Sequence, residues 1–250
     1  MLSHSLPACA LCAAARKDIA MRAPEFVLEH DFLEFEPMLL ECFPNRKYFR
    51  PKELILNLFS ERSRYYYYVI SGMAAYTLRH IDGRNKLSTY RGEGTIFPLY
   101  FSFRRTNMDS FLEVTAVTDT ELLVIPRDDI ENLIQKDKGF ATAMIDAYAK
   151  YTTLLNYEVA MQVFESVRVR ICSFIYISCF RNGNSSPVLH ITHEDLALAA
   201  GVTRANASRV IGDLRSEGII STERNSICVL DQERLLQASS AILFAAEDAD

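Results

Sequence analysis

The sequence predicts an α+β protein in which an antiparallel β-barrel is followed by one long helix and a small helix-turn-helix domain. Short β-prone runs separated by turns occupy residues 29 to 125, an arrangement typical of a sandwich or barrel. A three- and four-residue apolar repeat then runs without Gly or Pro from about residue 140 to residue 164, which indicates a helix. Near the C-terminus, two short helical patterns meet at a glycine and precede a hairpin, as in a winged helix-turn-helix. We therefore expect an arm (1–25), a β-barrel domain (26–136), a dimerisation helix (137–165), a winged helix-turn-helix domain (166–234) and a tail (235–250).

The composition indicates a soluble globular protein. Of 250 residues, 49% are hydrophobic and 24% are charged, close to the average for such proteins. No apolar run reaches the roughly 18 residues of a membrane span, so no membrane partner is expected. The first basic pair follows the N-terminal apolar stretch, which does not suit a secretory signal. The six scattered cysteines do not resemble a disulfide framework, so we expect a cytoplasmic protein.

The predicted barrel consists of short strands whose limits are set by turn residues. Asp82-Gly83 is a hairpin signal, because glycine accepts the positive φ of a tight turn. Four consecutive tyrosines begin one strand, and we expect their rings to lie alternately inside the barrel and on its surface. The predicted strands are Leu54–Leu56, Tyr65–Ile70, Lys86–Tyr90, Phe111–Val117 and Glu121–Ile125.

Two helices are predicted after the barrel. Pro126 opens a short helix over Asp128–Gln135, and a helix of about 25 residues and nearly 38 Å follows over Phe140–Phe164. An apolar stripe on the long helix could pack against the barrel or against the same helix of a second copy. The length favours the second interpretation, a homodimer seam. The stripe comprises Met144, Ala147/Tyr148, Tyr151, Leu154/Leu155, Glu158 and Met161.

The helix-turn-helix pattern predicts a DNA-reading surface. Thr192 can cap the first helix, Gly201 supplies a left-handed turn, and Thr203 can cap the second helix. The second helix would bury Ala207, Val210, Ile211 and Leu214 and expose Arg204, Ala205, Asn206, Ser208 and Arg209. Arginines and small polar residues near the start of a helix suit the major groove, because arginine can form a bidentate pair with guanine. The predicted DNA-binding residues are Thr192, Thr203, Arg204, Asn206, Ser208 and Arg209.

Charge does not exclude double-stranded DNA as a partner. The net charge of the chain is −5, but residues 166–234 hold eight Lys or Arg against seven Asp or Glu. An acidic protein can bind DNA when a few arginines share one face, because the local potential decides the contact.

Three segments resemble the catabolite-activator/FNR (Crp/Fnr) family of bacterial transcription regulators. YYYVISGMAAYTLRHIDGRNKL is similar to its central barrel hairpins, AVTDTELLVIPRDDIENLI to its last strand and following helix, and ITHEDLALAAGVTRANASRVIGDLRSEGIIS to its DNA-reading module. The resemblance implies a homodimer that has an effector barrel of the cyclic-nucleotide-binding, double-stranded β-helix or jelly-roll type and RNA polymerase as a further partner. Ser208 and Arg209 match the family's Ser-Arg pair, and Arg204 matches an arginine one turn earlier. Ala205 replaces a glutamate common in the family, which alters one base preference.

The effector slots depart from the cyclic-nucleotide-binding pattern. Where such members carry Gly-Glu-Leu and Arg-Ser, this chain has Pro98-Leu99-Tyr100 and Ser110-Phe111. Phenylalanine cannot replace an arginine fork that holds a phosphate. We therefore expect an apolar or aromatic small-molecule effector rather than cyclic AMP, or else side chains that fill the barrel of a constitutive regulator. The candidate pocket residues are Phe97, Leu99, Tyr100, Phe101, Phe111, Tyr151 and Leu155.

Other classes of function are less well supported by the residues. Cys9 and Cys12 allow an oxygen or redox sensor of the FNR type as an alternative, but a third cysteine close to them is missing, and clusters of this kind normally need four thiolates. The five histidines never pair within the barrel, so neither a metal site nor a metal-dependent enzyme is expected. No Gly-x-Ser-x-Gly motif or phosphate-cradling glycine loop appears. We therefore expect no enzyme and no cofactor other than a small effector.

Overall fold

The computed structural model describes residues 26–57, 64–99, 112–180 and 186–241. The predicted arm, including Cys9 and Cys12, lies outside the described residues, as do residues 242–250 of the predicted tail. Within the described ranges, strands occupy the N-terminal part and helices dominate the C-terminal part. The predicted α+β class is confirmed.

The N-terminal domain is built from two sheets. A five-stranded sheet has the order β1-β6-β5-β8-β3, and a four-stranded sheet has the order β2-β9-β4-β7. All pairs are antiparallel except β1 with β6. Within the described residues the two sheets form a jelly roll that is not closed into a full barrel. The strands are β1 Val27–Leu28, β2 Arg46–Phe49, β3 Leu54–Asn57, β4 Tyr65–Ser71, β5 Ala74–Arg79, β6 Asn85–Arg91, β7 Ile96–Phe97, β8 Leu112–Ala116 and β9 Thr120–Pro126.

Seven α-helices lie within the described residues. They are α1 Glu36–Cys42, α2 Arg127–Lys136, α3 Lys138–Phe164, α4 Val167–Phe180, α5 His193–Ala200, α6 Arg204–Ser216 and α7 Gln232–Gln237. The predicted short and long helices after the barrel are confirmed as α2 and α3. Asp137 separates them with an extended backbone, and its side chain accepts a hydrogen bond from the Phe140 N–H, which caps α3. None of the described helices is both long and apolar enough to cross a membrane.

The predicted hairpin between β5 and β6 is confirmed. Gly83 has a φ of 87°, and the His80 N–H donates to the Arg84 carbonyl at 2.8 Å. The turn fixes the register that pairs Arg79 with Asn85. The pairing register of β5 with β6 shifts between Tyr76 and Thr77. This irregularity changes which face of the sheet the side chains of β6 point to on either side of it.

The four tyrosines alternate between the two faces of β4 as expected, but the expectation that the outer rings lie on the surface is wrong. Tyr65 is exposed, but Tyr66, Tyr67 and Tyr68 are all buried. Tyr67 packs between the two sheets, whereas Tyr66 and Tyr68 belong to a second apolar cluster that includes Phe140 of α3. The outer face of β4 is therefore covered by helices, so both faces of this strand lie in apolar surroundings.

The stripe predicted as a dimer seam is mostly buried within its own chain. Five of its members lie against the N-terminal domain or the C-terminal core, namely Met144, Ala147, Tyr151, Leu154 and Met161. The interpretation of this stripe as a seam between two copies is therefore wrong for these residues. A second row of α3, which includes Tyr148 of the predicted stripe, is exposed in the single chain and comprises Ile145, Tyr148, Val159, Val163 and Phe164 at 50% to 79% exposure.

The C-terminal domain adds a small sheet to the helices. Strands β11 Ile220–Glu223 and β12 Ser226–Val229 form the predicted hairpin. A third strand, β10 Val188–His190, pairs with β12 and was not predicted, because three residues carry too little pattern to identify a strand. The core of this domain is formed by α4 together with the inner faces of α5 and α6.

Candidate functional site

The helix α5 begins and ends where the sequence predicts. The Thr192 hydroxyl accepts from the Asp195 N–H at 3.0 Å and donates to the Asp195 carboxylate at 2.7 Å, which satisfies an unpaired N–H of the first turn. Gly201 ends the helix in the left-handed region, with φ 63° and ψ 42°. The following Val202 N–H donates to the Ala197 carbonyl at 2.9 Å. These contacts set the turn between the two helices.

The helix α6 presents a polar face to solvent over an apolar base. Thr203 caps it by accepting from the Asn206 N–H at 3.2 Å. Its predicted inner residues are all buried, namely Ala207, Val210, Ile211 and Leu214. Arg204, Ser208 and Arg209 are exposed, so these three side chains share an outward face within the first two turns of α6. The neighbouring Asn206 is half-buried.

A contact that the sequence analysis missed joins the two helices. The imidazole Nδ1 of His193, at the start of α5, lies 3.1 Å from the Ser208 hydroxyl in the middle of α6. The two residues are fifteen positions apart, so no local pattern signals the pair. The bond fixes the orientation of the Ser208 side chain beside Arg204 and Arg209.

A cleft of about 400 Å³ lies between the two helices and the hairpin. Its walls come from the start of α5, from Arg204 of α6, and from the hairpin turn at Arg224 and Asn225. Asn225 has a φ of 57°, a conformation that asparagine accepts better than most residues. Arg204 and Arg224 therefore line an open groove beside α6, together with Glu194 and Glu223.

Residues 169–238 match the Crp-like helix-turn-helix domain family, and residues 46–137 match the cyclic nucleotide-binding domain family. The protein belongs to the Crp/Fnr family. It is accordingly a DNA-binding transcription regulator of the Crp/Fnr type, and regulators of this family bind DNA and function as dimers.

Curated relatives resemble the chain in sequence, and a solved structure resembles it in fold. The chain is 28% identical over 154 residues to the cyclic AMP receptor protein of Thermus thermophilus, covering 62% of this chain and 69% of that protein. It is 23% identical over 176 residues to the global nitrogen regulator of Synechocystis sp., covering 68% and 78%. The fold is similar to a CooA variant from Carboxydothermus hydrogenoformans, with a TM-score of 0.69 and 19% identity over 84% of this chain and 99% of that one.

The described members of the predicted effector pocket fall into two apolar clusters. Leu99 and Tyr151 are buried in one cluster, and Leu155 is half-buried against it. Phe97 is fully buried in the other, between the sheets, where it stacks on Tyr67 with 5.4 Å between the ring centroids. The remaining predicted members, Tyr100, Phe101 and Phe111, lie outside the described residues.

A buried cation that the sequence did not predict lies beside this pocket. Arg91, the last residue of β6, is 1% exposed. Its guanidinium carbon lies 5.1 Å from the ring centroid of Tyr76 and 4.8 Å from that of Tyr151. The predicted strand ended at Tyr90, one residue too early, and the pocket was predicted to offer apolar and aromatic groups only. No local pattern in the sequence signals that this arginine is enclosed.

The other end of β6 contacts α5 of the helix-turn-helix, which we call the reading head together with α6. Lys86 forms an ion pair with Glu158 of α3 and donates to the Ala199 carbonyl of α5 at 2.8 Å. Gln162 of α3 donates to the Ala200 carbonyl at 3.5 Å. Burial lowers the pKa of Lys86 and raises the pKa of Glu158, so desolvation outweighs their mutual attraction. These contacts hold the C-terminal end of α5 against the sheet and the long helix.

The described cysteines and histidines do not gather into a metal-binding group. No cluster of three or more His, Cys, Asp or Glu side chains within residues 26–57, 64–99, 112–180 and 186–241 could hold a metal ion. Cys42 is exposed, Cys172 and Cys179 are buried, and Cys228 is half-buried. The redox alternative rests on Cys9 and Cys12, which the described ranges do not include, and it stays a prediction.

Proposed function

We propose that this Crp/Fnr regulator acts as a homodimer on an inverted-repeat DNA site and that a small molecule bound beside α3 controls its affinity for that site. The observation that carries the proposal is the exposed face of α6, where Arg204, Ser208 and Arg209 lie beside the hairpin cleft. RNA polymerase is the expected further partner, and the cytoplasm is the expected compartment.

The face of α6 suits direct reading of bases. A guanidinium can donate two parallel hydrogen bonds to guanine, and the short Ser208 and Ala205 side chains leave room for close approach. Thr192 and Thr203 at the two helix starts, with Asn206, are placed for phosphate contacts, because free N–H groups at helix N-termini attract anions. We assign base reading to Arg204 and Arg209 and positioning to the two threonines.

The second row of α3 supports the homodimer. Ile145, Tyr148 and Val159 are exposed in the single chain, and with the half-buried Thr152 and Leu155 they recur at the three- and four-residue spacing of a coiled-coil seam. An apolar row of this length is unfavourable in water. Pairing two copies along it would bury the row and place two α6 helices about 34 Å apart, one turn of DNA.

An apolar or aromatic effector is supported by the cluster that joins the sheet to α3. A molecule placed between Leu99 and the Tyr151–Leu155 turn of α3 would contact the helix that also carries the dimer seam. Such a ligand changes DNA affinity only if it binds one arrangement of the reading heads more tightly than the other. Phe97, in contrast, fills the space between the two sheets. At this position the structure favours the alternative in which side chains fill the barrel and no effector binds.

Selection of tight-binding duplexes from a random pool, followed by fluorescence anisotropy, tests the proposal. The wild-type dimer should select an inverted repeat. Arg209→Ala should weaken binding by about 1–3 kcal/mol, roughly 5- to 150-fold, and should relax preference at one position in each half-site. Arg84→Ala, which removes an exposed arginine from the β5–β6 hairpin, is the matched control and should change neither value.

Two results would count against the proposed roles. A uniform loss of affinity over all sequences would make Arg209 a phosphate contact and not a base reader. A wild-type chain that stays monomeric and selects no duplex, with or without small-molecule extracts of its cell, would refute the proposed function as a whole.

A further inference from the structure

Arg91 is a buried cation that has no hydrogen-bonded partner within the described ranges. Its side chain is among the largest that are fully buried. None of its nitrogens Nε, Nη1 and Nη2 has an acceptor among the described residues. A guanidinium remains protonated in proteins and offers five N–H donors. Buried polar groups are nearly always paired, so a whole guanidinium without an acceptor requires an explanation.

The two tyrosine rings compensate the charge only in part. Tyr76 and Tyr151 place their rings within 5.1 Å of the Arg91 guanidinium carbon, and the quadrupole of an aromatic ring attracts a cation. A ring face is a poor substitute for the lone pairs that five N–H groups need. The environment therefore favours the positive charge and leaves its hydrogen-bonding capacity unused.

The position of Arg91 places this unused capacity next to the proposed effector site. Arg91 lies opposite Ala74 at the end of β6, and Tyr151 approaches it from α3. The Ser88 hydroxyl lies 3.4 Å from the Tyr151 hydroxyl, which adds two polar groups on the same side. Leu99 and Leu155 pack in the cluster that contains Tyr151. A charged group, two hydroxyls and an apolar wall therefore meet between the sheet and the long helix.

We propose that the effector is an organic anion, whose carboxylate or phosphate oxygens pair with the Arg91 guanidinium while its apolar part contacts Tyr151 and Leu99. The proposal rests on the effector-responsive function above and narrows the chemistry of its ligand. Carboxylate and phosphate oxygens match the fork of arginine and form its strongest hydrogen bonds. A neutral ligand of the same shape would leave the buried charge without a counter-ion.

The anion contact proposed at Arg91 is not one of the positions that align with the nucleotide-binding slots, although Leu99, its apolar neighbour, is. Those slots align with residues 98–100 and 110–111, whereas Arg91 precedes them on β6. A ligand held by Arg91 would pair with the sheet on one side and with Tyr151 of α3 on the other. It therefore has a direct route to the helix on which the proposed dimer depends.

Thermal melting and calorimetry of the full chain test the inference with defined probes. Benzoate and phenylacetate represent carboxylates, inorganic phosphate and cyclic AMP represent phosphates, and benzamide is the neutral match for benzoate, all at equal ionic strength. At least one anion should raise the melting temperature by about 2 °C or more at a concentration near ten times its Kd, and benzamide should not. The group of probes that raises the melting temperature shows whether the ligand is a carboxylate or a phosphate.

Substitutions at Arg91 separate ligand binding from structure. Arg91→Met keeps roughly the length of the side chain and removes the charge. It should lower the affinity for the active anion at least about tenfold. The melting temperature without ligand should be equal to that of the wild type or higher. Arg91→Lys keeps the charge without the planar fork and should retain part of the affinity. Arg84→Met, on the exposed hairpin, should bind the anion as the wild type does.

Three outcomes would overturn the inference. They are an anion effect that survives in Arg91→Met, the absence of any anion-specific effect on the wild type, and an Arg91→Met chain that melts several degrees lower without ligand. The last would show that the chain or its partner copy already pairs this arginine. Selection of DNA by the same proteins is scored separately, so loss of the anion site is distinguishable from failure of the proposed regulator function.

Discussion

Replacing Lys86 with methionine tests whether the sheet holds the DNA-reading helices in one orientation. The substitution keeps the aliphatic stem, which lies near Gly201 at the turn between α5 and α6. It removes the ammonium that pairs with Glu158 and donates to the Ala199 carbonyl at 2.8 Å. We expect the C-terminal end of α5 to separate from β6 more often, because the head would lose its polar link to the sheet.

The size of the effect follows from the surroundings of the pair. A hydrogen bond from a charged donor contributes about 1.5–3 kcal/mol, and removing one partner of a buried ion pair costs about 3–5 kcal/mol. The side chains of Lys86 and Glu158 are 21% and 15% exposed, so solvent screens part of the loss. Burial also lowers the pKa of Lys86, which means that removing its charge recovers some desolvation energy. A net loss of about 1–3 kcal/mol should shift the docking equilibrium by about 5- to 150-fold.

Hydrogen exchange measured by mass spectrometry reports this equilibrium. Peptides covering α5 should exchange faster in Lys86→Met, while peptides from β4 and β9 should stay unchanged. Lys47→Met, at an exposed position on β2, is the matched control. In the double variant Lys86→Met/Glu158→Leu, much of the lost melting temperature should return, because no buried charge is left unpaired. The fast exchange of α5 should persist, since the Ala199 carbonyl still lacks its donor.

Unchanged exchange of α5 in Lys86→Met would refute the reasoning. It would show that apolar contacts alone hold the head against β6 and that the ion pair contributes nothing to the docking. A slower exchange would mean that desolvation of Lys86 dominates and that the pair strains the interface.

Two further predictions concern α3 and the cysteines. Val159→Asp places a charge in the exposed apolar row and should convert the dimer to monomers in sedimentation experiments, whereas Thr153→Asp, about 120° around the helix, should not. Iodoacetamide at pH 8 should label Cys42 at least about 100-fold faster than Cys172, because burial raises the pKa of the Cys172 thiol to about 11. The pKa of this thiol is higher in the folded chain than its ordinary value of 9.0, so its contribution to stability should be full below pH 9 and should fall as the pH rises towards 11.

The reading head could be predicted almost entirely from the sequence, because local rules determine it. The caps Thr192 and Thr203, the left-handed Gly201 and the spacing of apolar residues on α6 each depend on neighbours within four positions. The bond between His193 and Ser208 could not be predicted in this way. It depends on the angle at which two helices meet, and side-chain spacing alone does not specify that angle.

The sheet and the long helix were predicted in outline. The elements that cover each of their apolar faces were not predicted. A periodic stripe shows that a face is apolar and does not show what covers it. For α3 the two candidates were the chain's own sheet and a second copy. One apolar row packs within the chain, and a second row is exposed. The Tyr66 and Tyr68 rings were misassigned for the same reason, because the helices that cover β4 come from distant parts of the chain.

Arg91 was missed because strand limits and register are weakly encoded. The register shift between Tyr76 and Thr77 moves later residues of β6 relative to a simple two-residue alternation. A charged residue at the predicted end of a strand is also expected to reach solvent. Only the packing of Tyr76 and Tyr151 around it shows that this arginine is enclosed.

Arg91 and Lys86 lie on the same short strand, five residues or roughly 16 Å apart. One end of β6 faces the proposed ligand, and the other end contacts α5, the first helix of the helix-turn-helix. A genetic screen for variants that regulate without their inducer should therefore recover changes along β6 and at the α3 positions that face it. The loops at the far side of the sandwich should yield few such variants.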